Sequence, residues 1–485
     1  MTSYQQFLEK NGSYINGQWQ GDAAASFDVL NPADGSLITT LLDSTEADTD
    51  AAIAAAQQAF PAWRAMTAKQ RAGILRNWFN LILENQETLA LIMTLEQGKP
   101  LAESRGEIAY GANYVEWFAE EAKRVYGDTI PGPAPDKRIV VIKQPVGVVA
   151  AITPWNFPSS MITRKAAPAL AAGCTFIVKP AKETPLSAIA LAVLAEQAGI
   201  PAGVFNVIIS TKSRDIGSIL CNDPRIAKLS FTGSTEVGSK LLAQSASTIK
   251  KTTMELGGNA PFIVFDDADL DAAVDGAMAS KYRNAGQTCV CSNRLLVQEG
   301  VHDAFAEKII ERVKSFKMGN GVEEGVNIGP LVNTLAVDSM DHLIKDALEK
   351  GANVILGGQR SSLGACFFEP TVITGVTMDM RVANREIFGP IAPLIKFSTE
   401  EEAIAIANDT VFGLASYIYT RDIGRIWRVS EALEYGMVGI NEGIISNEMA
   451  PFGGVKQSGL GREGSKYGMD DYLEIKYLCM GGLDK

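Results

Sequence analysis

The stretch GVVAAITPWNFPSSMITRKAAPALAAGCTFIVKP, residues 147–180, decides the fold. Two short apolar runs, GVVAAIT and CTFIV, flank a segment at 159–172 that reads as a helix. The runs are strand-sized, apolar on both faces, and end in turn residues. The same alternation continues outward: a helix at 186–198, the run VFNVII, a helix at 214–221, and the run IAKLSFT. Strands that are apolar throughout and alternate with helices predict a parallel sheet covered on both faces. This series is the first candidate for nucleotide binding.

A second series begins after Glu255. APFIVFDD, SNRLLVQEG, PIAPLIKF, GLASYIYT and MVGIN read as strands, with helices near 269–283, 301–316, 399–408 and 422–434. Upstream, residues 51–124 show helical spacing, and Gly98 and Pro100 end one of those helices. RIVVIKQPV (138–146) and YLEIKYLCM (472–480) alternate imperfectly and belong to neither series. They read as an arm that pairs with another subunit.

A chain of 485 residues is too long for one ordinary core, so it divides into two or three domains. Apolar residues make up 46% and charged residues 21%, as in a soluble globular protein. The net charge of −12 argues against a nucleic-acid partner or an anionic membrane surface, both of which call for a basic face. The N-terminus lacks the layout of a signal peptide, and no run reaches the ~18 apolar residues of a membrane span. The expected location is the cytoplasm.

The six cysteines, at 174, 221, 289, 291, 366 and 479, are mostly scattered, which argues against a disulfide scaffold. A metal site is not expected, because Cys289 and Cys291 lack a second pair of ligands. The two histidines, His302 and His342, lie in helical sequence and read as solvated surface residues. A mechanism that needs a histidine base is therefore disfavoured.

Several segments carry candidate chemistry. FTGSTEVG (231–238) follows an apolar run and opens a helix, so Gly233 and Gly238 suit a tight turn with close backbone approach, at a helix N-terminus that attracts phosphate; the plainer reading is a glycine turn. KPAKETP places Lys179 and Lys182 at a strand's carboxyl end, where open parallel sheets bind ligands; the alternative is a solvated loop. MELGGN sets Glu255 beside two glycines that admit close backbone approach; alone it reads as a loop carboxylate. PWNFP carries Asn156, whose amide suits an oxyanion, against the plainer reading of a turn asparagine. EIFGP holds Glu386 and Phe388, and GQTC ends on Cys289.

In this order and at these intervals, PWNFP, KPA-ETP, FTGS, ELGGN, GQTC and EIFGP resemble the aldehyde dehydrogenase superfamily over essentially the whole chain. The resemblance implies an α/β fold with two parallel-sheet domains and a small β oligomerisation arm. It places a cofactor domain at 1–124 and 145–255, a catalytic domain at 256–447, the arm at 125–144 and 468–485, and a return segment at 448–467. Cys289 matches the nucleophile, which attacks the aldehyde to give a thiohemiacetal and then a thioester. Asn156 and the Cys289 N–H match the oxyanion donors, and Glu255 the base that activates water. Thr153, Pro154, Trp155, Lys179, Lys182, Gly233, Ser234, Glu386 and Phe388 match the NAD(P) site. Many NAD-selective members carry glutamate at position 182; lysine there favours NADP. No metal is implied.

Arg164, Arg283 and Ser446 match the set that holds the distal carboxylate in the succinate-semialdehyde dehydrogenase branch. The implied reaction is oxidation of succinate semialdehyde to succinate. Glutarate semialdehyde, or another aldehyde bearing a carboxylate, is the nearest alternative; a cysteine thiol esterase or acyl transferase is the alternative without a nicotinamide. The resemblance also offers Cys291 as a redox partner for Cys289, against the plainer reading of a small buried residue. It implies a homo-oligomer, a tetramer built as a dimer of dimers.

Overall fold

The computed structural model describes residues 4–483. Two parallel sheets form its two centres. In the first, the strands run in the order Gly459–Leu460, Lys251–Glu255, Ile226–Thr232, Val148–Ile152, Thr175–Lys179, Phe205–Val207, Ser13–Ile15 and Gln18–Gln20. The five from Lys251–Glu255 to Phe205–Val207 are parallel, and the outer ones are antiparallel. Val148–Ile152 comes first of the five in the chain yet lies in the middle. The chain builds outward from it in one direction through Thr175–Lys179, then returns to its other side with Ile226–Thr232. That reversal opens a crevice at the carboxyl ends of the two adjacent strands, which is where such sheets bind ligands. The residues that follow these strands are PWNFP and Gly233–Ser234.

The second sheet has the order Asn353–Leu356, Thr371–Thr374, Ile391–Phe397, Ser292–Gln298, Ala260–Val264, Ala415–Tyr419 and Met437–Ile440. It is parallel apart from its first strand. GQTC and EIFGP lie before Ser292–Gln298 and Ile391–Phe397, at the amino ends of these strands. The short link 256–259 joins the carboxyl end of Lys251–Glu255 to the amino end of Ala260–Val264. The carboxyl edge of one sheet therefore faces the amino edge of the other across a cleft.

The helix Glu46–Ala65 packs on one face of the first sheet beside Ser213–Asn222, and the helices of residues 68–121 stack on Ser160–Ala172 and Pro185–Gln197, which cover the other face. Thr45 and Thr67 open two of them with reciprocal capping boxes to Asp48 and Gln70. Gly98, with φ of 96°, ends the helix Gln86–Gln97 in the left-handed region, and Pro100 precedes the helix Leu101–Glu121. The helix Pro185–Gln197 is buried almost throughout, and Trp78 donates its indole N–H to the Leu191 carbonyl at 3.2 Å. Arg138–Pro145 pairs antiparallel with Leu473–Met480 and with Asp128–Ile130 in a three-stranded sheet. Ile475, Tyr477, Leu478 and Met480 stand exposed on it.

Two expectations change. His302 is buried, not solvated: it starts the helix His302–Lys314 on the stripe it shares with Phe305, Ala306, Ile309 and Val313, and its Nδ1 lies 2.7 Å from the Asp303 carboxylate. Glu255 ends a strand and does not sit in a loop. Among the described residues no helix is long and apolar enough to cross a membrane, and no group of three His, Cys, Asp or Glu side chains could hold a metal ion.

Candidate functional site

Cys289 follows a sharp bend. Arg283–Gly286 forms a single turn in which Asn284 and Ala285 take left-handed φ angles of 52° and 53°. Gln287 is locked behind it: its N–H and its side-chain amide both donate to the Asn284 carbonyl (3.0 and 3.1 Å), and its Oε1 accepts from Val332 N–H at 2.9 Å. The next turn brings Cys289 to the junction of two cavities. One, of about 280 Å³, is walled by Arg164, Arg283, Ser446, Tyr110, Phe157 and Phe452, among others. The other, of about 250 Å³, is walled by Pro154, Trp155, Asn156, Thr232, Gly233, Ser234, Glu255, Leu256, Gly257, Glu386 and Phe388. Among the described residues Cys289 is the one on both walls. Its thiol lies deep in the cleft, and burial pushes it up to about 12; Arg164 and Arg283 pull against that, while Glu386 and Glu255 add to it.

The link ELGGN needs its glycines for close approach. A Cβ on Gly258 would lie 2.4 Å from the Cys289 carbonyl oxygen, and one on Gly257 would lie 2.6 Å from Glu386 Oε2. Gly258 N–H donates to Glu386 Oε1 at 3.0 Å, and burial pushes that carboxyl up to about 7. Glu255 is buried with neither oxygen hydrogen-bonded. Burial, then the nearby Glu463, raise its carboxyl well above the usual range, although Arg164, Lys165 and Arg462 oppose them.

Asn156 is buried beside Cys289. Its side-chain amide uses one N–H on the Gln287 carbonyl at 3.1 Å, which leaves the second N–H free. Trp155 meets Phe388 edge-on at 5.5 Å across the second cavity. Ser234 caps the helix Thr235–Ser245 by accepting from Val237 N–H, and Gly233 N–H donates to the Glu255 carbonyl at 3.0 Å.

Thr153, Lys179 and Lys182 line neither cavity. Thr153 is buried next to them, with its hydroxyl unpaired and its N–H donating to the Lys179 carbonyl. Lys179 ends its strand buried, and burial lowers its ammonium to about 8. Lys182 is exposed in the following turn and, among the described residues, makes no ion pair.

The two arginines are not equivalent. Arg164 is buried, approaches Glu463 to 2.7 Å and lies 4.0 Å from the centre of the Phe452 ring. Arg283 is half-buried over Phe157 and has no ion pair among the described residues. Ser446 is half-buried on the same wall. Cys291 is buried and faces away from a shared cavity wall: its thiol donates to the Lys281 carbonyl at 3.3 Å, with Lys281 Nζ 3.4 Å away. Both thiols are free.

Sequence reasoning misses Glu463, which pairs with Lys165 as well as Arg164. Burial alone would raise Glu463, but the two cations hold it below its ordinary value. It also misses the buried pair Lys99–Glu107, 2.5 Å apart beneath the PWNFP loop. The motif GREGSKYG contains Glu463, but nothing in it marks a buried acid.

Known proteins match this arrangement over nearly the full length. The chain is 60% identical to a 3-sulfolactaldehyde dehydrogenase of Pseudomonas putida, covering 99% of this chain and 98% of that one. It is also 60% identical to the NADP(+) succinate-semialdehyde dehydrogenase of Escherichia coli, over 98% of each. The crystal structure of a succinate-semialdehyde dehydrogenase from Burkholderia pseudomallei superposes with a TM-score of 0.97 at 61% identity, over 98% of each chain. The aldehyde dehydrogenase family model matches residues 19–478, and the chain belongs to that family.

Proposed function

We propose that the protein oxidises succinate semialdehyde to succinate with NADP. The observation that carries this reading is the single sulfur shared by two cavities, one walled by arginines and the other by a helix N-terminus, a carboxylate and two aromatic rings.

The residues of the second cavity fit a nicotinamide dinucleotide. Gly233 and Ser234 offer a helix N-terminus to phosphate, Thr232 has an unpaired hydroxyl, and glycines keep the wall at Glu386 open. Glu386 would hold the nicotinamide ribose, with Phe388 and Trp155 beside it, and Lys179 the adenosine ribose. When bound, this cofactor supplies the acceptor for hydride leaving the aldehyde carbon.

The Cys289 thiol gives up its proton to solvent, the resulting thiolate sulfur attacks the aldehyde carbon, and the carbonyl oxygen takes up the electron pair of the C=O bond. The free N–H of Asn156 and the Cys289 N–H stabilise that oxyanion; loss of one such donor typically costs ~3 kcal/mol. Collapse restores the C=O bond, expels hydride and leaves a thioester on Cys289. Glu255, once ionised, takes a proton from water, whose oxygen attacks the thioester. The carboxylic acid departs and the thiol is regenerated.

Arg283, Arg164 and Ser446 bind the distal carboxylate. Because Arg164 already carries Glu463, Arg283 supplies most of the charge. Charge-assisted hydrogen bonds contribute roughly 1.5–3 kcal/mol, so Arg283→Ala is expected to raise KM for succinate semialdehyde about 10- to 100-fold. Its KM for an uncharged aldehyde should stay nearly constant. Initial rates on semialdehydes of increasing chain length and on one uncharged aldehyde check this. Equal losses on all would misplace the clamp, and a preference for glutarate semialdehyde would revise the length, since one methylene changes pocket energy by only ~1–3 kcal/mol. Failure of every aldehyde to reduce cofactor would favour a thiol esterase.

Lys182, exposed and without an ion pair among the described residues, supports the choice of NADP, because its ammonium can meet a 2′-phosphate. In Lys182→Glu the ratio of kcat/KM for NADP over NAD is expected to fall by at least about tenfold, since a like charge replaces an opposite one. An unchanged ratio would reject the assignment.

The same reading assigns the cofactor to residues 1–124 and 145–255, the aldehyde chemistry to 256–447, and self-association to 125–144 and 468–485. The segment 448–467 returns to the first sheet through Gly459–Leu460. The exposed apolar side chains of Leu473–Met480 support a homo-oligomer, with a tetramer as the proposed state.

A further inference from the structure

Beneath the PWNFP loop lies a fully buried ion pair, Lys99–Glu107, whose carboxylate residue also borders the first cavity. Lys99 Nζ sits 2.5 Å from Glu107 Oε2 and donates to the Asn156 main-chain carbonyl at 2.7 Å. Its ammonium also lies 4.0 Å from the centre of the Phe157 ring. The other Glu107 oxygen accepts from Ser159 N–H at 3.0 Å and Ser160 N–H at 3.2 Å, at the start of the helix Ser160–Ala172. A second group grips the same carbonyl: Asn284 Nδ2 donates to Asn156 O at 3.0 Å. Asn284 is in turn held by Gln97 Nε2 at 3.0 Å and, through its N–H, by Glu103 at 2.7 Å. Gln97 also accepts from Lys99 N–H at 2.9 Å. The three residues Gln97–Lys99 thus reach both the oxyanion loop and the bend before the nucleophile.

Stability alone gives little reason for such a pair, because the cost of burying two charges is only just offset by their attraction. Geometry gives a stronger one. The Asn156 side chain makes one hydrogen bond, to Gln287, and its Oδ1 has no partner. Its aim therefore depends on how firmly its own main chain is held.

We infer that Lys99, seated by Glu107, is a positioning residue: by gripping the Asn156 carbonyl it aims the Asn156 amide at the oxyanion. This inference rests on the oxyanion role of Asn156 proposed above and adds the device that sets it. A displaced donor costs the transition state more than the bound aldehyde, so the effect belongs to kcat.

A double-mutant cycle tests it in the full-length protein. Lys99→Met is expected to lower kcat on the order of 10- to 100-fold, the scale of a misplacement near 1 Å. KM for NADP should change less than about twofold. In an Asn156→Ala background, the same replacement should change kcat by less than about threefold, because the group it aims is gone. Equal factors in both backgrounds would overturn the inference, as would an unaltered kcat in Lys99→Met. If Asn156→Ala alone kept full kcat, the oxyanion reading would fall and this inference with it; a normal Asn156→Ala loss with an additive Lys99→Met loss would sink this inference only. Should Lys99→Met not fold, Lys99→Met combined with Glu107→Gln removes both buried charges and is read by the same criteria.

Discussion

Cys289→Ala is expected to abolish cofactor reduction, with kcat lower by a factor on the order of 10⁴ or more, as for other enzymes deprived of their nucleophile. The site explains why nothing substitutes. Cys291, the nearest other thiol in the chain, is turned to the Lys281 carbonyl and lines neither cavity. The two histidines offer no base or nucleophile: His302 lies inside the helix His302–Lys314, and His342 is exposed. Cys289→Ser separates sulfur chemistry from mere shape. Burial pushes the thiol up to about 12, and a serine hydroxyl ionises still less readily. Serine should therefore remain as inactive as alanine while the protein keeps its affinity for NADP. Mass spectrometry of wild-type protein quenched with substrate should find an acyl group on the peptide containing Cys289. Full activity in either variant, or an adduct on another residue, would remove the basis of the mechanism.

Glu255→Gln is expected to slow turnover by roughly 10²–10⁴, the usual scale of general-base catalysis, and to leave the first half-reaction largely intact. Burial and then Glu463 raise the Glu255 carboxyl well above its usual range, and neither of its oxygens is hydrogen-bonded to the thiol. Its work comes later, on water. In rapid mixing, the variant should release one equivalent of NADPH per site in a burst and then stall as the thioester. Wild-type protein should show a much smaller burst, because deacylation keeps pace. The sign of the pH effect follows from the raised pKa. The base is active only when ionised, so deacylation in the wild type should quicken as pH rises through the elevated Glu255 pKa, while the variant's slow phase stays flat. A burst lost in proportion to turnover would instead make Glu255 the activator of the thiol.

Much of this is legible in the chain, and the exceptions share a cause. The strands of the two parallel sheets declare themselves because a strand covered on both faces has to be apolar throughout, as Val148–Ile152 and Ala260–Val264 are. Ser13–Ile15 and Gln18–Gln20 carry only three residues each, too few to show a period. His302 is misread because its helical stripe begins with it. Cys289, Glu255 and Asn156 stand out since each sits in a compact motif of glycine or proline. Glu463 does not, because its buried ion pair joins distant residues, Lys165 and Glu463 being 298 positions apart; Lys99 and Glu107 are close in sequence, but nothing local marks either as buried. The sheet edges explain another gap. The carboxyl-edge rule singles out Lys179 and Lys182, which line neither cavity, and it does not reach Cys289 and Glu386, which sit at amino edges.

The two cavities have one wall residue in common, the sulfur itself. On the roles proposed above, choice of aldehyde and choice of dinucleotide fall to separate sets of side chains, so each can drift without disturbing the other. Changes at Arg283 and Lys182 should combine multiplicatively, as distant sites do.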